Sequence, residues 1–268
     1  MQDVWDLILY NFVGILVIFA RIMGIFIFNP ILGRSTVPVR IRVLLTVVLT
    51  FVMVGSVGDV VGFVPNSMIH FGGVLAVEAV LGFFFGFIVN LILNAIIYAG
   101  KIMDYQISFA MAEAFDPSTG VTMPIMANLY NYIFVLYFFV AGGHLTYIRL
   151  FHLSYQIIPI GFELTNEWRE MSLIIAMFFA QVLTLAVKMA MPLIVSQMIL
   201  QVCVGVIMKA VPSIQIFVIN IQMRVLMGLF LIMMITPAMS GFLEELMDIM
   251  FQNLFGVLYG LGGAETGG

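Results

Sequence analysis

Residues 71–100 read FGGVLAVEAVLGFFFGFIVNLILNAIIYAG, an apolar run with one charged side chain, Glu78. A helix crosses the hydrocarbon core of a bilayer with about 20 apolar residues. This stretch is longer than that and predicts a transmembrane helix. Gly82 and Gly86 stand one helical turn apart, a spacing of small residues that lets a second helix approach closely. Asn90 and Asn94 continue the same face, so a stripe of small and polar residues runs along the helix. The stripe suits packing against another helix, and its pattern favours neither an intrachain nor an interchain neighbour.

Further apolar segments lie on either side: Leu7–Leu32 and Val43–Val57 before it, Ile125–Ile148, Met171–Met208 and Ile216–Leu243 after it. Val43–Val57 is short for a crossing. Met171–Met208 is long enough for one bent helix or a tight hairpin, with Pro192 at the expected kink. The 268-residue chain is 63% hydrophobic and only 9% charged, where soluble domains carry about 25% charged residues. Its mean hydropathy is +1.17. The expected fold is therefore an all-α membrane protein of about six hydrophobic helical segments, some kinked or paired as hairpins.

The charge balance of -4 argues against a nucleic-acid partner. The single cysteine, Cys203, can form no intramolecular disulfide. Asp3 and Asp6 open the chain, and no small-residue cleavage site follows the first apolar run, so an uncleaved first helix is expected. Residues 257–268, rich in glycine, read as a flexible tail. Arg34, Arg40 and Arg42 place the first loop on the cytoplasmic side. Glu163, Glu167 and Glu170 fit the outer side, and Lys209 fits the inner one.

Four charges lie inside apolar segments: Arg21, Glu78, Lys188 and Arg224. Each costs about 2.5–3.5 kcal/mol at a helix centre, so such groups face protein or a water-filled path rather than lipid. One acid among three bases is poor material for a proton relay. Internal pairing, most simply of Glu78 with Arg21, is the expected reading. His70, His144 and His152 lack metal-ligand spacing, and the sequence has neither a Gly-rich phosphate loop nor a GxSxG. No metal site, cofactor or catalytic group is expected.

The connection after the opening helix, Lys101–Pro124, reads KIMDYQISFAMAEAFDPSTGVTMP. A loop between membrane helices is ordinarily polar, yet this one carries Phe109, Met111, Phe115 and Met123. Asp116, Pro117 and Gly120 supply a turn in its middle. Apolar residues in a connecting loop are buried somewhere or mark a binding surface.

An ordered set of motifs extends from one end of the chain to the other. It begins with Phe19-Ala20-Arg21-Ile22-Met23-Gly24, then Asn29-Pro30 and Val37-Pro38-Val39-Arg40-Ile41-Arg42. Glu78 with Gly82 and Gly86 follows, then Ser108-Phe109-Ala110 and Phe115-Asp116-Pro117. Gly142-Gly143-His144, Ile158-Pro159-Ile160-Gly161, Lys188-Met189-Ala190-Met191-Pro192 and the run from Lys209 to Phe217 complete it. The set resembles the FliR family of type III export-gate proteins. That resemblance implies a core subunit of the flagellar export gate in the bacterial inner membrane, at the flagellar basal body. With FliP and FliQ it would build a closed helical ring, joined by FlhB and FlhA, through which unfolded proteins pass. It implies a FliP-like part over residues 1–170 and a FliQ-like hairpin part over 171–250. The central loop would enter the pore, with Phe109, Met111, Phe115 and Met123 as an apolar plug. Lys209, Pro212 and Ser213 would form a cytoplasm-side turn at its mouth. The alternatives are the injectisome counterpart and, from a different class, a secondary transporter, which would need an internal repeat that the sequence lacks.

Overall fold

The computed structural model describes residues 2–29, 37–57, 67–109, 124–161, 168–210 and 216–262. Every regular element among them is helical. In chain order these are α1 (Gln2–Phe28), α2 (Val39–Val57), α3 (Met68–Ile107), α4 (Ile125–Val140), α5 (Gly143–Ile157), α6 (Trp168–Ala210) and α7 (Ile216–Gly262).

Three of these helices exceed what one crossing needs. α3 has 40 residues, α6 has 43 and α7 has 47. At about 1.5 Å per residue each is about 60–70 Å long, twice the hydrocarbon core. Among the described residues, four helical stretches are long and apolar enough to cross a membrane: Val39–Ser56, Met68–Ile107, Leu173–Ile207 and Ile219–Pro237. A fifth arises if α4 and α5 together form one span.

Several boundaries differ from the sequence reading. The segment Ile125–Ile148 is broken rather than continuous. Gly142 adopts a left-handed conformation, φ 75°, and stops α4 before α5 begins. Nothing lies within 4 Å of where a Cβ at Gly142 would stand, so the backbone conformation, not space, calls for glycine there. Met171–Met208 is one helix, not a tight hairpin, with Pro192 inside it. α7 runs on to Gly262, and Val257, Leu258 and Leu261 are buried, so helix reaches into the stretch expected to be a flexible tail.

The chain divides into two compact units. The first gathers Met1–Leu91, Gly142–Phe178 and Ile249–Gly268. Its core is a close approach of α1 and α3. A Cβ on Gly24 would strike the carbonyl oxygen of Ala79, and one on Gly82 would strike that of Arg21. Two glycines on facing helices thus bring the backbones together, as small-residue seams do in membranes. α2 lies against α1, and its buried Thr46 and Thr50 hydroxyls bond back to the carbonyls of Arg42 and Thr46 at 2.9 and 2.7 Å. Their polarity is therefore satisfied within the helix itself.

The second unit gathers Ile92–Ala141 and Phe179–Asp248. In it Gly100 of α3 lies against Ala127 of α4, and Gly228 of α7 against the Ile107 side chain. α6 and α7 meet where the Gln197 side-chain amide donates to the Arg224 carbonyl at 3.1 Å.

Candidate functional site

A buried polar constellation centres on Arg21 of α1, which is fully excluded from solvent. Its Nε donates to Glu78 Oε2 of α3 at 2.5 Å, and both side chains are almost fully excluded from solvent. Its Nη1 donates to the Ser154 carbonyl at 3.0 Å and to Ser154 Oγ at 3.2 Å. Its Nη2 donates to the Ile158 carbonyl at 3.1 Å. Tyr155 covers the guanidinium, with 4.1 Å from its carbon to the ring centroid, and donates its own hydroxyl to the Ile18 carbonyl at 3.2 Å.

This arrangement follows from what a buried arginine requires. The guanidinium has five donors in a fixed plane and no means of neutralising itself. One carboxylate balances its charge, and the end of α5 supplies acceptors. The last carbonyls of a helix carry the negative end of its dipole; that of Ile158 lies past the last turn, while that of Ser154 also accepts the Ile158 N–H at 3.0 Å and so serves two donors. Arg21 thus closes the C-terminus of α5 while paired to α3. The node ties three helices of one unit at one point. Glu78 Oε1 has no hydrogen-bond partner among the described residues.

A second feature lies at the stems of the amphipathic loop. α3 ends as Ser108 turns to φ 68°, a left-handed conformation rare outside glycine. α4 starts after Pro124, which offers no side-chain cap. The cap comes instead from Asp104, one turn before the end of α3. Its carboxylate accepts the Met126 backbone N–H, with Oδ1 at 3.0 Å and Oδ2 at 3.2 Å. Asp104 is buried, and a carboxylate at a helix N-terminus faces the positive end of the dipole. The two stems are fixed to each other by a charge-assisted bond. Phe109, at the first stem, is half-buried. Met111, Phe115, Asp116, Pro117, Gly120 and Met123 lie outside the described residues.

The remaining expected positions are scattered. Gly86 is buried, and Asn90 and Asn94 are half-buried on α3. Gly82 meets α1 of its own chain. Lys209 is exposed in the last turn of α6, while Pro212 and Ser213 lie outside the described residues. Arg224 is half-buried, and its Nε is enclosed without a hydrogen-bond partner among the described residues. Lys188 is exposed. No group of three or more His, Cys, Asp or Glu among the described residues could hold a metal ion.

Sequence reasoning missed Ser154, Tyr155 and Asp104 as members of these sites. Asp104 carried the clearest signal, as an acid in the last turns of an apolar helix, although the N–H it caps lies 22 residues on. Ser154 and Tyr155 carried none, because α5 meets α1 only in three dimensions.

Residues 12–250 match the family described as bacterial export proteins, family 1. Among similar proteins, the flagellar biosynthetic protein FliR of Escherichia coli is 27% identical over 241 residues, covering 89% of this chain and 90% of its own. FliR of Bacillus subtilis is 24% identical, covering 84% of this chain and 85% of its own. The surface presentation of antigens protein SpaR of Shigella flexneri is 24% identical, covering 80% and 82%.

Proposed function

The chain belongs to bacterial export proteins, family 1, and from that membership we propose that it is a core subunit of the flagellar type III export gate. In this reading it forms with FliP and FliQ the pore through which unfolded flagellar proteins pass. FlhB and FlhA attach to the same assembly, in the bacterial inner membrane at the flagellar basal body. Residues 1–170 act as the FliP-like part and 171–250 as the FliQ-like hairpin part. The likeness to flagellar FliR proteins over nearly the whole chain carries the reading. The SpaR likeness makes the injectisome gate the second reading.

The loop between Phe109 and Pro124 is the pore's plug. Phe and Met suit a seal that parts for an unfolded chain and closes again, since apolar constrictions gate by dewetting and methionine repacks readily. The Asp104 bond to Met126 supports this role, because a plug must be anchored at its stems. Deleting Ala112–Thr119 tests it. The expected result is an assembled complex that leaks small ions, read as single-channel conductance. A complex that assembles and stays ion-tight overturns the plug, and loss of assembly makes the loop a packing element.

A further inference from the structure

The outer face of α6 bears a cation that nothing among the described residues neutralises. Lys188 is exposed and has neither an ion pair nor a hydrogen bond there. One side of α6 is buried through Val182, Leu185, Met189, Leu193 and Leu200. On the other, Thr184, Lys188, Met191, Val195, Met198 and Val202 recur at helical spacing, all exposed. Pro192 has no N–H to return to the Lys188 carbonyl, so a backbone acceptor is freed at the level of the cation.

Lipid alone cannot cover this face. The apolar stretch Leu173–Ile207 has 35 residues, about 50 Å against a hydrocarbon core of about 30 Å, and Lys188 lies near its middle. With Lys188 at mid-depth, its four-methylene stem falls short of the about 15 Å to either surface. With Lys188 at the headgroups, one apolar half leaves the bilayer. On this face that half includes either Leu173 and Met177 or Val195, Met198 and Val202, all of them exposed. Both placements require a protein cover. A second copy seated on the same face by two-fold symmetry would set lysine near lysine.

We propose that this face seats a membrane-embedded helix of a different protein, one that places an Asp or Glu carboxylate against Lys188. The inference rests on the reading of the chain as a subunit of a membrane complex and is independent of the plug.

The test uses the full tagged chain, expressed in its host and purified in detergent. A photo-crosslinking amino acid replaces Met191, exposed one turn from Lys188 on the same face, so that the lysine stays in place, and mass spectrometry locates the adduct. The expected adduct lies within a turn of an Asp or Glu in an apolar segment of another membrane protein. Lys188→Glu should lower recovery of that protein about tenfold or more, and Lys188→Arg should keep it. Changing the partner's acid to lysine should rescue Lys188→Glu. If Lys188→Glu fails to accumulate, Lys188→Gln makes the same measurement. Adducts only to lipid or to a second copy, or unchanged partner recovery with Lys188→Glu, overturn the seat. A wild-type chain that purifies without any other membrane protein overturns the subunit reading along with it.

Discussion

Replacing Glu78 by glutamine keeps the size of the side chain and removes its charge. Arg21 would then lie fully buried without a counter-ion, although the carbonyls of Ser154 and Ile158 would still accept its Nη protons. Breaking a buried pair on one side costs about 3–5 kcal/mol. Glu78→Gln is therefore expected to lower the yield of folded chain in detergent and its thermal midpoint. Replacing the pair together, Arg21→Met with Glu78→Leu, should recover part of that loss, because no bare charge remains. A Glu78→Gln variant with wild-type stability and altered proton dependence of export would instead make the pair a relay. Asp104 calls for a milder expectation. Asp104→Ala leaves the Met126 N–H without this acceptor and should cost about 1 kcal/mol, as lost helix caps do. Asp104→Asn keeps an acceptor oxygen and should cost less, by the same thermal measurement. The sequence pointed to Arg21 and Glu78 because charges in apolar runs are expensive wherever they fall. It could not point to Ser154 or Ile158, since any helix end offers acceptor carbonyls and only the fold selects among them.

At the scale of elements, glycine decides two junctions for different reasons. Gly82 permits contact: a side chain there would strike the Arg21 carbonyl of α1, and neither backbone can yield cheaply. Gly82→Leu should therefore unfold the first unit or force α1 from α3, seen as loss of the monomeric chain itself. Normal monomer recovery with failed complex formation would place the seam between chains. Gly142 permits conformation: its surroundings are open, so Gly142→Ala pays only for the left-handed backbone, about 1–2 kcal/mol, and should fold. These junctions mark what could be read in advance. The apolar runs gave the helices, since hydrophobic length and a lack of charge suffice to identify them. The continuity of α6 through Pro192 could not be read, because a proline is equally compatible with a kinked helix and with the turn of a hairpin. The break at Gly142 escaped notice because glycine is common inside membrane helices, and only its positive φ marks a stop. The apolar loop residues beyond Phe109, proposed above as a plug, were legible as an anomaly of composition, and they lie outside the described residues.

The continuity of α6 also bears on how the whole molecule lies in the membrane. A hairpin would return Lys209 to the side of Glu163, Glu167 and Glu170. A single helix of 43 residues, about 64 Å, is long enough to carry it to the opposite side of the hydrocarbon core. Basic residues near helix ends favour the cytoplasm, so Lys209 should lie inside with Arg34, Arg40 and Arg42, and the acidic stretch before α6 outside. α7 is likewise one helix, of 47 residues, and if it crosses as well it should return the chain to the outer side. The prediction needs a thiol at each end of α7. With the exposed Cys203 first changed to serine, Ser213→Cys should react with a membrane-impermeant thiol reagent from the cytoplasmic side only. Ala264→Cys should react only from the periplasmic side. Labelling of both from one side would mean that α7 doubles back or lies outside the bilayer. Labelling of each from the side opposite to that expected would reverse the orientation while leaving the helices unchanged. The two positions must be measured together, because a single label reports the side of one loop, whereas the pair reports whether the intervening helix crosses.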